Sequence, residues 1–176
     1  GGSRSVKVVA GSNSNDHAFF VNTSVFPAEN VYFRAWLKYQ DANWEGHVTF
    51  IESGTDQSTE VRLGGQAGFY HANLSADGDG LSPNPFVECA LCTAPTANQW
   101  VCVEGRFDFM TNTVQAWVDG SPAVDAAESS DWHSGNGMLP QDATRIAFGW
   151  ESYGGGVGNA IFYDDVAIGY ERLGCE

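Results

Sequence analysis

His47, Arg62, Gln66 and Tyr153 are residue types that together suit one reaction on a sugar acid. Cleaving a uronic-acid polymer by β-elimination removes the proton next to a sugar carboxylate. That carboxylate must first be neutralised, because an anion resists a second developing negative charge. Arg62 and Gln66 are suited to this, holding the carboxylate and stabilising the enolate-like intermediate electrostatically. His47 and Tyr153 can share the roles of base and acid, the base taking the proton and the acid supplying one to the leaving oxygen. Hydrolysis of a glycosidic bond needs two flanking carboxylates instead. Glu151 is the acid assigned to the same face as these four, and no E-x-D-x-E strand motif occurs, so hydrolysis is disfavoured. No Ser-His-Asp arrangement stands out, and the glycine pairs lack the strand-to-helix context of phosphate loops.

The elements that must carry these residues are strands. Val31, Phe33, Ala35, Leu37 and Tyr39 alternate with Tyr32, Arg34, Trp36, Lys38 and Gln40; Val48 and Phe50 alternate with His47 and Thr49. Val61 and Leu63 alternate with Glu60, Arg62 and Gly64, and Ile146, Phe148 and Trp150 with Ala147, Gly149 and Glu151. Further runs cover Val101–Phe107, Val114–Val118 and 159–168. Alternation sends one side of each strand into a core and the other outward. The outward set gathers Arg34, Trp36, His47, Thr49, Arg62, Gln66, Glu151 and Tyr153, side chains that stack on sugar rings and hydrogen-bond hydroxyls and carboxylates. Arg34, Trp36 and Glu151 are therefore expected to bind carbohydrate beside the four reactive candidates. Turn chemistry separates the runs at Gly64-Gly65, Asp119-Gly120 and Gly154-Gly155-Gly156, among others, with Asp119-Gly120 reading as a hairpin tip. Segments 77–98 and 122–142 read as long connections framing a site. About eleven short strands, with no helical periodicity and no repeat, predict a single all-β domain over 1–176, a two-sheet antiparallel jelly-roll sandwich.

Composition narrows the partners. The formal net charge of −14, from 22 acidic and 8 basic residues, disfavours nucleic acid and anionic membrane surfaces. The apolar runs fall far short of the ~18 residues that a membrane span needs. Cys89, Cys92, Cys102 and Cys175 form an even set that suggests disulfides and an oxidising, extracellular compartment. Cys89-Ala-Leu-Cys92 could also be half of a zinc site, but Cys102 and Cys175 do not form a matching second half. Gly1-Gly2-Ser3 reads as an interior boundary, so a monomer within a longer multidomain protein is expected.

Several blocks in order carry a resemblance. They are Ser5-Val6-Lys7-Val8-Val9, Val31-Tyr32-Phe33-Arg34-Ala35-Trp36, His47-Val48-Thr49-Phe50-Ile51, Arg62-Leu63-Gly64-Gly65-Gln66, Leu81-Ser82-Pro83-Asn84, Phe148-Gly149-Trp150-Glu151-Ser152-Tyr153, and Phe162-Tyr163-Asp164-Asp165 with Gly174-Cys175. The chain resembles the cellulose-induced jelly-roll proteins secreted by biomass-degrading microbes, relatives of glucuronan and alginate lyases. The resemblance implies an open groove for a polysaccharide, with His47, Gln66 and Tyr153 at catalytic positions and Arg62 beside them. It also implies a Cys102–Cys175 bridge, leaving Cys89 and Cys92 to pair locally. A structural calcium is implied at Asp164, completed by an acid on a family strand that lies ahead of Gly1 and by an Asn. Arg4 stands where that Asn would be, and a cation there opposes an unchanged site. Without the leading strand, the sheet edge needs another cap.

Overall fold

The computed structural model describes residues 4–9, 11, 13, 15–41, 46–55, 60–74, 96–126, 139–153 and 159–176. Among these, eleven strands and no helix are found: β1 (Val6–Val9), β2 (His17–Asn22), β3 (Asn30–Tyr39), β4 (Val48–Gly54), β5 (Glu60–Gln66), β6 (Phe69–Leu74), β7 (Trp100–Asp108), β8 (Thr113–Val118), β9 (Ser121–Ala126), β10 (Arg145–Ser152) and β11 (Ala160–Gly169). They form two antiparallel sheets, one of six strands ordered β1-β11-β3-β7-β8-β9 and one of five ordered β2-β10-β4-β5-β6. This is the jelly-roll sandwich that the alternation predicts. β3 follows the rule along its whole length, every second residue from Val31 to Tyr39 being buried. Between the sheets lie Phe33, Phe50, Phe107, Phe148, Trp150, Tyr39, Tyr70 and Tyr163.

Turn chemistry fits at one predicted place and shifts at another. Asp119 and Gly120 both take positive φ, as a two-residue hairpin between β8 and β9 requires. Gly64-Gly65, by contrast, is no turn but lies inside β5, and the chain reverses at Ala67-Gly68. The reason is proximity, since a Cβ on Gly64 would sit 1.8 Å from the Val48 carbonyl oxygen of β4. Within the expected connection 122–142, residues up to Ala126 belong to β9. Cys89 and Cys92, and most of segment 77–98, lie outside the described residues.

Two irregularities interrupt the five-stranded sheet. The β4–β10 register shifts between Phe148 and Glu151, and the β4–β5 register between Thr49 and Ile51. A bulge leaves backbone groups off the ladder, and buried ones need partners. Tyr163, on the opposite sheet, supplies one: its buried hydroxyl reaches the carbonyls of Phe50 (2.6 Å) and Gly149 (2.7 Å).

The chain's end is fastened to the outer face of the six-stranded sheet. Cys102 in β7 is bridged to Cys175, with Cα atoms 5.9 Å apart. Buried Glu104 accepts the Gly174 amide (2.7 Å) and pairs with Arg172 (3.0 Å), whose guanidinium lies over Trp117.

Candidate functional site

Directly opposed residues in an antiparallel sheet share a face, so the register of the five-stranded sheet reads as rows. One row runs Arg145–Gly54–Glu60, the next Ala147–Glu52–Arg62–Asn73, the next His17–Glu151–Thr49–Gly64–His71. His47 lies one residue before Val48, the partner of Gly65 and Ser152, so Gln66 and Tyr153 fall on either side of it. The Tyr153 amide agrees with this placement by donating to the His47 carbonyl (2.8 Å). The four reactive candidates and Glu151 thus share the face of this sheet turned away from the core.

Arg34 and Trp36 do not join them. Both belong to β3, in the other sheet, and project from its outer face on the far side of the sandwich. Alternation tells whether a residue faces the core but not which sheet carries it. Arg34 is also occupied: its guanidinium donates to the carbonyls of Asp165, Gly174 and Glu176 at 3.3–3.4 Å.

Around His47 the geometry is close. Its ring stacks on Tyr153 with centroids 4.8 Å apart and meets the ring of His71 edge-on at 5.8 Å. Asn73 Nδ2 lies 3.0 Å from His47 Nε2, a hydrogen bond that fixes the orientation of the ring. Arg62 lies 5.1 Å from the centre of the Tyr153 ring, a cation–π contact. Burial pushes the Tyr153 hydroxyl well above its ordinary pKa, aided by the Glu151 carboxylate and opposed by Arg62, so it stays a proton donor. Burial, then His47, lowers His71 from 6.5 to about 3, which keeps His71 uncharged. The buried Thr49 hydroxyl and Asn73 Oδ1 have no hydrogen-bond partner among the described residues.

Arg62 is the end of a buried chain of charge that alternation alone does not assemble. Its Nε and Nη2 donate to Glu60 Oε2 at 3.2 and 3.1 Å. Glu60 also pairs with Arg145, which reaches Glu52 at 2.7 Å. Burial and the neighbouring Glu52 carboxylate raise Glu60 from 4.5 to about 7, against the pull of the two arginines. Glu151 is therefore not the only acid on this face. The pattern Glu60-Val61-Arg62-Leu63 already places Glu60 beside Arg62, whereas the β4 bulge moves Glu52 off the parity that the sequence shows.

At the expected calcium position, Asp164 Oδ1 accepts the Asp165 amide (2.9 Å). Among the described residues, no three His, Cys, Asp or Glu side chains converge as a metal cage.

These features define an antiparallel jelly-roll sandwich with a polar, hydrogen-bonding face on its smaller sheet. The family model for the polysaccharide lyase-like, Cip1-like core domain matches residues 1–171, and the chain belongs to that family. Among solved structures, the chain is similar to "Cellulose induced protein, Cip1" at 30% identity, covering 99% of this chain and 83% of that one, with a TM-score of 0.82. It is also similar to the binding domains of botulinum neurotoxin serotype G (12% identity, 98% and 42% covered, TM-score 0.60) and serotype D/C (15%, 96% and 40%, 0.58). At such identity those two show the fold alone. A comparison with curated protein sequences gives no match.

Proposed function

We propose that this is a secreted protein of plant-cell-wall or algal polysaccharide breakdown that cleaves uronic-acid polymers by β-elimination. The observation that carries the reading is Tyr153 in contact with both His47 and Arg62, with Asn73 fixing the imidazole. Arg62 has five N–H donors and uses two on Glu60, leaving others for a sugar carboxylate, with Gln66 at the neighbouring position. His47, as the base, exchanges its Asn73 contact at Nε2 for the proton next to that carboxylate. The C–H electron pair becomes the new C=C bond, the bond to the glycosidic oxygen breaks, and that oxygen takes the Tyr153 proton. His47 then returns its proton to the tyrosinate, restoring both groups. General acid–base catalysis of this kind is worth roughly 10²–10⁴ in rate.

The test is the ultraviolet absorbance of the unsaturated product with glucuronan, alginate and neutral xyloglucan. Signal on a polyuronate that His47→Ala and Tyr153→Phe abolish supports the reading; a flat trace on every polyuronate overturns it. One observation favours a second reading, a non-catalytic carbohydrate-binding module. Arg62 is already charge-balanced by Glu60 within a buried network, and the acidic field of the chain repels polyanions at low salt. Retention on insoluble polysaccharide without any unsaturated product would establish it.

A further inference from the structure

The chain contains two lysines, Lys7 and Lys38, against 22 acidic residues. Both fall in a single cross-strand row on the outer face of the six-stranded sheet, in register as Lys7–Phe162–Lys38–Trp100. Lys38 Nζ lies 4.5 Å from the ring centre of Phe162 and 5.1 Å from that of Trp100, and Lys7 Nζ lies 5.4 Å from Phe162. Among the described residues, neither ammonium pairs with a carboxylate. The arginines at 62, 106, 145 and 172 all do. Trp100 is exposed, and Trp36 stands one row further along the same face, opposite Asp164 and Cys102.

We infer that this row is a second carbohydrate site, on the far side of the sandwich from His47, which holds an acidic, uronate-bearing polysaccharide chain laid across the strands. Rings of β11 and β7 are two strand spacings apart, about 10 Å, and stand on one surface. An extended glycan can lay successive sugar rings on such a platform, because their C–H faces pack against aromatic rings. The occupant is set by charge complementarity. An ammonium resting on a ring keeps its remaining N–H donors for an incoming anion, and Lys7 and Lys38 flank Phe162 on either side. Asp164, in the next row, repels an anion from its own side, so the chain sits over the lysine row with Trp36 at its margin. The site shares a ligand class with the proposed function but none of its residues, and it stands without any catalysis.

Affinity electrophoresis and calorimetry on the folded protein, with alginate and a neutral xyloglucan as probes, test it. Lys7→Gln with Lys38→Gln is expected to weaken alginate binding at least about tenfold, two charge-assisted contacts being lost, and to flatten its salt dependence. Trp100→Ala is expected to weaken it comparably. Arg62→Ala leaves the outer-face binding in place while removing any unsaturated product. Thermal melts establish folding, and Lys38→Arg, which keeps the charge, should restore binding. The inference is overturned if the double Gln variant binds alginate as the parent does, if Arg62→Ala alone abolishes binding, if xyloglucan binds equally well, or if alginate does not bind.

Discussion

Glu60→Gln separates the buried charge chain from the rest of the molecule. In the folded protein the Glu60 carboxyl is raised from 4.5 to about 7, first by burial and then by Glu52. Between those pH values the folded protein holds a proton that the unfolded chain has released, so stability falls as pH rises through the window. This contribution is present in full below pH 4.5 and lost above about 7. A shift of that size, at about 1.36 kcal/mol per unit, is worth about 3 kcal/mol. For a domain of this length, that is roughly 6–12 °C in Tm. Thermal melts of parent and variant at half-unit steps give a difference curve in which titrations common to both cancel. The parent's advantage over Glu60→Gln should decline from acid to neutral pH. A flat difference curve, or one that rises with pH, would refute the reasoning, because burial would then not be holding the proton on Glu60. The same titration bears on ligand binding, since a protonated Glu60 loosens its hold on Arg62 and frees donors for a sugar carboxylate. Polyuronate affinity should therefore strengthen as pH falls toward about 5, below the raised Glu60 value, provided the polymer stays ionised.

Three other outcomes are expected. The His71 imidazole resonances should not titrate between about pH 8 and 5, because its folded value is lowered to about 3; its contribution to stability is intact above 6.5 and erodes as pH falls below that, which a His71→Asn variant would abolish in acid melts. Replacing Cys102 and Cys175 by Ala opens a loop of 73 residues and should cost about 4 kcal/mol in the chain-entropy model, read from denaturant midpoints. Gly64→Ala drives a methyl into the Val48 carbonyl, so a loss of about 3 kcal/mol or more is expected, together with altered His47 chemical shifts, because Val48 adjoins it.

Alternation is enough to predict two sheets, and β3 shows why: buried and half-buried residues alternate along its whole length. It is weaker for β4, which is buried throughout, and for β10, buried at every residue after Arg145. When polar residues on the second face are also covered, period 2 no longer separates inside from outside. The bulge between Thr49 and Ile51 then switches parity mid-strand, so Glu52 reads as a core position in sequence yet meets Arg145 in the fold. His47, Arg62, Gln66 and Tyr153 are legible as a group because they precede, sit within or end regular stretches. Asn73, His71 and Arg145 escape a local reading because their roles depend on pairings between strands far apart in sequence. Arg34 and Trp36 are grouped wrongly by alternation for the same reason.

The bridge from β7 to the chain's end also determines how this domain would bear tension. A pull applied beyond Glu176 enters the protein at Cys102, since Cys175 is covalently tied there. The remainder of β7 and all of β8 to β11 lie inside the closed loop, off the covalent path of the load. Stretched in a single-molecule experiment, the oxidised domain should extend short of its full contour by the 73 bridged residues, roughly 250 Å at the reach of an extended chain. Adding a reductant should release that hidden length, so the bridge acts as a mechanical stop that keeps residues 103–174 from being drawn out.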